Sequence, residues 1–248
     1  MNTAEFDRMF EVEETHWWYR ARRSLVRAAL DRYADDGRRL KTLDLACATG
    51  MSFRFLSDRC DVRGIDISEE TIRLCARRGI DRIVRGDALA LPFAASSFDL
   101  VLALDAFEHF QDDVQAMAEV YRVLSPGGLL IVTVPAFMAL WSPHDEAYHH
   151  FRRYRRAQLR GRLQSVGFDC RRMSYSSMLA FLPVLLMRRM RSLLSSSSEE
   201  ASSDFSVPMP RPLEWLADGL TRAEIAVEKR IDLPFGVSLY GVMSKPKG

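Results

Sequence analysis

No apolar run in this 248-residue chain reaches the roughly 20 residues needed to cross a bilayer, and its first residues lack the charged-then-apolar order of a secretory leader. A cytoplasmic location is expected. Cysteine is scarce: Cys47, Cys60, Cys75 and Cys170 show no metal-ligand spacing, and Cys47 and Cys75 fall in patterns that look buried. A reduced compartment fits them. There is no H-E-x-x-H, and no cysteine lies near the clustered histidines, so no metal site is expected. No G-x-G-x-x-G follows the first apolar strand, which argues against a nicotinamide cofactor. An Asn/Asp-Pro-Pro-Tyr motif is also missing, and Leu104-Asp105-Ala106-Phe107 stands in its place. With no recognisable nucleic-acid module either, no nucleic-acid partner is expected.

Hydrophobic residues make up 48% of the chain, ample for one sizeable α/β domain with additions. The stretch Thr42-Leu43-Asp44-Leu45-Ala46-Cys47-Ala48-Thr49-Gly50 is an apolar strand running into a turn of small residues, with a helix expected over 52–58. Such a turn lets backbone approach a small ligand closely. Asp66 lies near the end of a second strand, 62–67, where an acid can accept hydrogen bonds from both hydroxyls of a ribose. From Lys41 to Pro135 short strands alternate with helices, the signature of a mostly parallel sheet covered on both faces. Further strands are expected at 82–85, 97–105, 129–134, 168–175 and 237–244, and helices at 4–14, 20–34, 114–124 and 212–229.

In order, these segments resemble a class I S-adenosylmethionine-dependent methyltransferase of the small-molecule type. The family's D-x-G-x-G-x-G stands here as Asp44-x-Ala46-x-Ala48-x-Gly50. Arg85-Gly86-Asp87-Ala88 resembles the segment whose acid meets the adenine amino group. The fourth strand ends at Leu104-Asp105, Glu108-His109 follows as in many such enzymes, and Leu124-Ser125-Pro126-Gly127-Gly128 turns into the fifth. The resemblance covers about residues 40–135. It implies a Rossmann-like seven-stranded sheet and S-adenosylmethionine as cofactor, released as S-adenosylhomocysteine. Cofactor contacts are implied at Asp44, Ala46, Cys47, Ala48, Gly50, Asp66, Ile67, Asp87, Ala88 and Leu104. Ala46 and Ala48 depart from the pattern. Glycine would allow positive φ and close approach, so cofactor binding should be weakened or shifted but kept.

The resemblance also implies an N-terminal helical lid over 1–36 and an α/β domain over 37–177 and 237–248. A helical insertion over 178–236 separates the last two strands and contains a Ser-rich loop, 195–204. Trp17, Trp18 and Tyr19 suit a lid, although aromatics that merely staple the N-terminal helix would look the same. His16 and Arg23 join them as acceptor contacts. Between Asp145 and Ser195 eleven arginines face three acids, a local balance of +8 that favours an anionic acceptor or a membrane surface. Arg152, Arg153 and Tyr154 are expected to hold that acceptor. His109, His144 with Asp145, and His149 are candidates for proton transfer. The apolar segment 178–191 can pack on its own domain, cover the site, make a homodimer or rest on a membrane. Methyl transfer to a small anionic acceptor is the first reading. A non-methylating reaction on the same cofactor and a nucleic-acid methyltransferase are the alternatives.

Overall fold

The computed structural model describes residues 3–34, 37–194 and 211–247. Its elements run α1 (Thr3–Val12), α2 (Trp17–Tyr33), β1 (Leu40–Leu45), α3 (Met51–Phe55), β2 (Cys60–Asp66), α4 (Glu69–Arg77), β3 (Ile83–Arg85), β4 (Phe98–Leu104), α5 (Asp113–Val123), β5 (Leu124–Pro135), α6 (Pro143–Ala147), α7 (Arg156–Ser165), β6 (Asp169–Ser176), α8 (Phe181–Leu194), α9 (Arg211–Glu228) and β7 (Ser238–Ser244). The strands form one sheet in the order β3-β2-β1-β4-β5-β7-β6. β1 to β5 are parallel, and β7 runs antiparallel between β5 and β6. Strand order reverses between β1 and β4, so a crevice opens beyond their carboxyl ends, where open α/β sheets bind ligands.

The central strands are apolar throughout because both sheet faces are covered. Along β4, Leu100 and Leu102 join one core with α2 residues Leu25, Val26 and Leu30, with Ile131 and Val242, and with Ile225 of α9. Val101 and Ala103 point the opposite way, toward Met117 and Val120 of α5 and Leu159 and Leu163 of α7. That is the period-two alternation of a strand. Each fully buried aliphatic chain contributes about 1.5–3 kcal/mol. Most of α2 is therefore a layer of the α/β core, and only α1 and the first turns of α2 reach over the crevice.

Several boundaries differ from expectation for local reasons. β5 starts at Leu124 rather than 129, because Phe98 pairs with Leu124 before the register shifts. The 141–145 loop contains helix α6. Pro143 opens it, and Ser142 with Asp145 forms a capping box. The apolar start of the insertion is helical as α8. Its Ser-rich loop, 195–204, lies outside the described residues.

Candidate active site

The β1–α3 loop is built on unusual backbone. Ala46 and Ala48 have φ of 54° and 46°, the left-handed conformation that glycine normally takes. Gly50, with φ 72°, then opens α3, and a side chain there would strike Ile80 and Cys75. Hydrogen bonds hold the turn in place. Cys47 N donates to Ile65 O (3.2 Å), and Ala48 N to Asp66 Oδ2 (3.0 Å). Asp66 Oδ1 also accepts from Ser68 N (2.9 Å), so the acid bridges the two loops. Burial pushes its carboxyl up, against these hydrogen bonds. Asp44 is buried and accepts a hydrogen bond from Ser52. Burial, opposed by that bond, pushes its pKa up to about 7. Beyond β3, Asp87 accepts from Leu89 N (2.9 Å).

Asp44, Ala46, Cys47, Ala48, Asp66, Ile67, Asp87, Ala88 and Leu104 all line one cavity of about 1570 Å³. Gly50 lies behind the lining and shapes the turn. Phe6 and Met9 of α1 and Glu13 just past its end wall the cavity on one side, with His16, Trp17, Trp18 and Tyr19 beside them. His16 caps α2, its Nδ1 accepting from Trp18 N (3.3 Å). Arg22 lies 5.0 Å from the Trp18 ring centre and pairs with Asp105 at 2.5 Å. Glu13 is buried against Arg78 at 2.8 Å and takes the Thr49 hydroxyl bond. Arg23 also borders the cavity, yet its guanidinium donates to the carbonyls of Glu13 and Glu14, closing the α1–α2 turn.

The opposite wall carries Glu108, His109, His144, Tyr148, His150 and Arg153. Burial, then the neighbouring His150, pushes the His109 pKa down to about 3. Here the structure corrects three expectations. Asp145 does not pair with His144. Its Oδ1 lies 2.9 Å from His150 Nδ1, and its carboxylate takes two further bonds from Arg153 (2.7 and 3.0 Å). The cap geometry turns Asp145 back toward Ser142, while the His144 ring lies 4.4 Å from Tyr148. His149 is outside the cavity lining; it takes a left-handed turn, φ 55°, that delivers His150 instead. Arg152 and Tyr154 also face away. Tyr154 pairs with Ala136 in an extended bridge, so successive side chains alternate and only Arg153 reaches the cavity. Tyr154 Oη donates to Asp113 (2.6 Å), and Arg152 joins the same carboxylate at 2.8 Å.

Sequence reasoning did not single out Asp105 or His150. Their partners lie 83 positions away for Arg22–Asp105 and across a turn for His150–Asp145, and no local pattern marks either. The inner face of α8, with Pro183, Val184 and Met187, adds an apolar wall.

A seven-stranded sheet of this order, with an acid-lined, glycine-like loop at its switch point, defines a nucleoside-cofactor α/β domain. Residues 43–132 match the family model described as a methyltransferase domain. A demethylmenaquinone methyltransferase of Thermus thermophilus is 39% identical over 100 residues, 37% of this chain and 46% of its own length. A malonyl-[acyl-carrier protein] O-methyltransferase of Enterobacter lignolyticus is 34% identical over 120 residues, 44% of this chain and 47% of its own. Phosphoethanolamine N-methyltransferase 2 of Haemonchus contortus, solved with S-adenosyl-L-methionine, shares the fold at a TM-score of 0.56 and 18% identity, over 88% of this chain and 51% of that one. The chain spans about half the length of the curated relatives it matches. Residues 43–132 thus carry a methyltransferase domain, and the chain is similar to S-adenosylmethionine-dependent methyltransferases over that span. The cradle suits S-adenosylmethionine: Asp66, held by the backbone N–H groups of Ala48 and Ser68, borders the cavity beside Ile67, where ribose hydroxyls can donate to its carboxylate.

Proposed function

We propose that the chain transfers a methyl group from S-adenosylmethionine to a small acceptor with an apolar body and an anionic group. The observation that carries this reading is the single cavity that joins the cofactor loops to a separate wall of histidine, arginine and α8 residues. Its 1570 Å³ exceeds the roughly 300–1,000 Å³ typical of one drug-sized ligand, leaving room for cofactor and acceptor together. The bound cofactor supplies an electrophilic methyl on a sulfonium. The protein's task is alignment and exclusion of water. Asp66 would hold the ribose and Asp87 the adenine end. Segment 1–36 contributes cover through α1 and the aromatic run 17–19, and 178–236 contributes the apolar wall. Arg153 borders the same wall with its guanidinium held by Asp145, and an anionic acceptor group would have to share that pair. His144, on the same wall, is placed to receive an acceptor proton, whereas the depressed pKa of His109 keeps that imidazole neutral.

Among the described residues no helix is long and apolar enough to cross a membrane. On α8, Leu182, Leu186 and Met190 are about 60% exposed and recur every four residues, an outward apolar stripe. That stripe supports a cytoplasmic protein whose insertion touches a membrane surface, with homodimer contact as the competing use of 178–191.

Calorimetric titration with S-adenosylmethionine and S-adenosylhomocysteine tests the reading. Micromolar binding of both is expected, weakened at least tenfold in Asp66→Ala. Products of a screen against anionic amphiphilic acceptors should be heavier by one methylene equivalent. Failure of the wild-type protein to bind either cofactor form overturns the reading. A converted product without added mass would assign the non-methylating alternative.

A further inference from the structure

Glu108 is fully buried, and neither of its carboxylate oxygens has a hydrogen-bond partner. It nevertheless borders the cavity. An ionised carboxylate withdrawn from water with nothing to pair it is among the costliest arrangements a protein can hold. A cation at the site would offset that cost directly.

Two imidazoles complete the arrangement. Glu108, His109 and His150 each bring a potential ligand atom within 4.8 Å of the other two. Both rings are oriented through one nitrogen. His150 Nδ1 meets the Asp145 carboxylate at 2.9 Å, and a ring N–H of His109 bonds to the Tyr148 carbonyl. Each ring then presents its other nitrogen as a lone pair. Metal-binding histidines are held in this way, by a carboxylate or a carbonyl on the far nitrogen. The orienting groups are themselves fixed. Asp145 is clamped by Arg153 and by Ser142 N (2.9 Å). Phe151 N donates to Glu108 O at 2.8 Å, tying the turn that carries His150 to the turn that carries Glu108 and His109.

We propose that Glu108, His109 and His150 form a binding site for a divalent transition-metal ion in the acceptor half of the cavity. Two imidazoles and one carboxylate suit Zn²⁺, Mn²⁺ or Fe²⁺ better than an all-oxygen ion such as Ca²⁺. Ligands around an ion at about 2.0–2.1 Å sit roughly 3.3 Å apart, so capture draws the three side chains inward. Three protein ligands leave at least one coordination position facing the cavity. The role of that position rests on the methyl-transfer reading. An acceptor hydroxyl bound there loses its proton more readily, to water or to a wall base. Its oxygen then forms the bond to the methyl carbon as the carbon–sulfur bond breaks, and the electron pair stays on sulfur to give neutral S-adenosylhomocysteine.

The test uses the full chain, stripped with chelator and titrated with Co²⁺ and with Zn²⁺. One equivalent should bind, Co²⁺ should develop visible d–d absorption, and Zn²⁺ should displace it and raise the melting temperature. Glu108→Gln and His150→Asn, checked for folding by circular dichroism, should each lower affinity on the order of 100-fold. S-adenosylhomocysteine titration without metal runs in parallel, so failure of the cofactor reading and failure of the metal reading give different results. Wild-type protein that retains no equivalent of Co²⁺, or folded variants that bind as tightly as wild type, would overturn the site.

Discussion

Replacing Asp113 should cost stability and leave ligand binding intact. Asp113 opens α5, is 3% exposed, and accepts from Tyr154 Oη at 2.6 Å, from Arg152 at 2.8 Å and from Arg162. Tyr154 is wholly buried, and its hydroxyl keeps a second contact, Phe107 O at 3.2 Å. Asp113→Ala removes one carboxylate and leaves three donors facing a gap. Breaking a buried charged network from one side costs about 3–5 kcal/mol. For a chain of this size that lowers the melting temperature by roughly 10 °C, at about 2–4 °C per kcal/mol. Tyr154→Phe removes a single charge-assisted bond and should cost about 1.5–3 kcal/mol. In the double mutant the losses should fall short of the sum, because the two residues share one interaction.

The pH dependence has a definite sign. Burial alone would raise the Asp113 carboxyl, but the bonds from Tyr154, Arg162 and Arg152 outweigh it and hold the acid below its usual range. A depressed acid contributes stability that is fully present above the unfolded value of about 3.9 and is lost as pH falls through the folded value. Asp113→Asn should therefore flatten the acid limb of a melting-temperature profile below about pH 4. Cofactor affinity should hold within a factor of two, because no member of this network borders the cavity. Unchanged melting at pH 7, or a tenfold loss of cofactor affinity in a folded Tyr154→Phe protein, would refute this placement and return Tyr154 to the site.

Two other substitutions probe strain and buried charge. Ala48→Gly relieves a left-handed alanine worth about 1–2 kcal/mol and gives back about 0.4–1 kcal/mol of unfolded-chain entropy, so differential scanning calorimetry should show a rise of about 2 °C; a fall would mean that the methyl group packs favourably. Glu228 is 3% exposed, and burial, then Glu224, pushes its pKa up to about 7. A raised acid keeps its proton on folding, so wild-type stability falls as pH rises from about 4.5 to 7; relative to wild type, Glu228→Gln should gain roughly 2–3 kcal/mol between pH 5 and pH 8 by urea unfolding, and a constant difference would show that Glu228 ionises normally in the folded chain.

The fold was legible because its signals are local. Continuous apolar runs such as Leu100–Leu104 mark strands buried on both faces, and the order of turns and acids places them in sequence. The segments that resisted reading were those whose fate depends on partners far along the chain. Residues 20–34 have a helical pattern whether α2 covers a cavity or a sheet; only Leu100, Leu102 and Val242, which meet its apolar face, decide for the sheet. Residues 141–145 carry both a loop signal in Ser-Pro and a capping box, and the reciprocal bonds of Ser142 and Asp145 tip the balance toward helix.

At the site the same division holds, with one instructive inversion. The cofactor side follows chain order, since each β-strand delivers its own loop, and residues 44–48, 66 and 87 could be placed by counting. The acceptor side is assembled by pairing across the chain. Arginine density in 145–195 suggested a surface for anions, yet Arg152 and Arg162 neutralise Asp113, Arg153 serves Asp145, and Arg172 meets Asp232 at 2.8 Å. Two acids outside the window counted, Asp113 and Asp232, thus take three of its eleven arginines, and Asp145 inside it takes Arg153 and Arg188. One acid in the same region receives no arginine. Glu108 shares the cavity wall with Arg153, but that guanidinium is committed to Asp145, and His109 and His150 each bring a ring nitrogen within 4.8 Å of the Glu108 carboxylate. A fold that pairs Asp113 and Asp145 with two arginines each, and leaves the Glu108 carboxyl without a hydrogen-bond partner beside His109 and His150 in the cavity wall, keeps that group for something that enters from solvent.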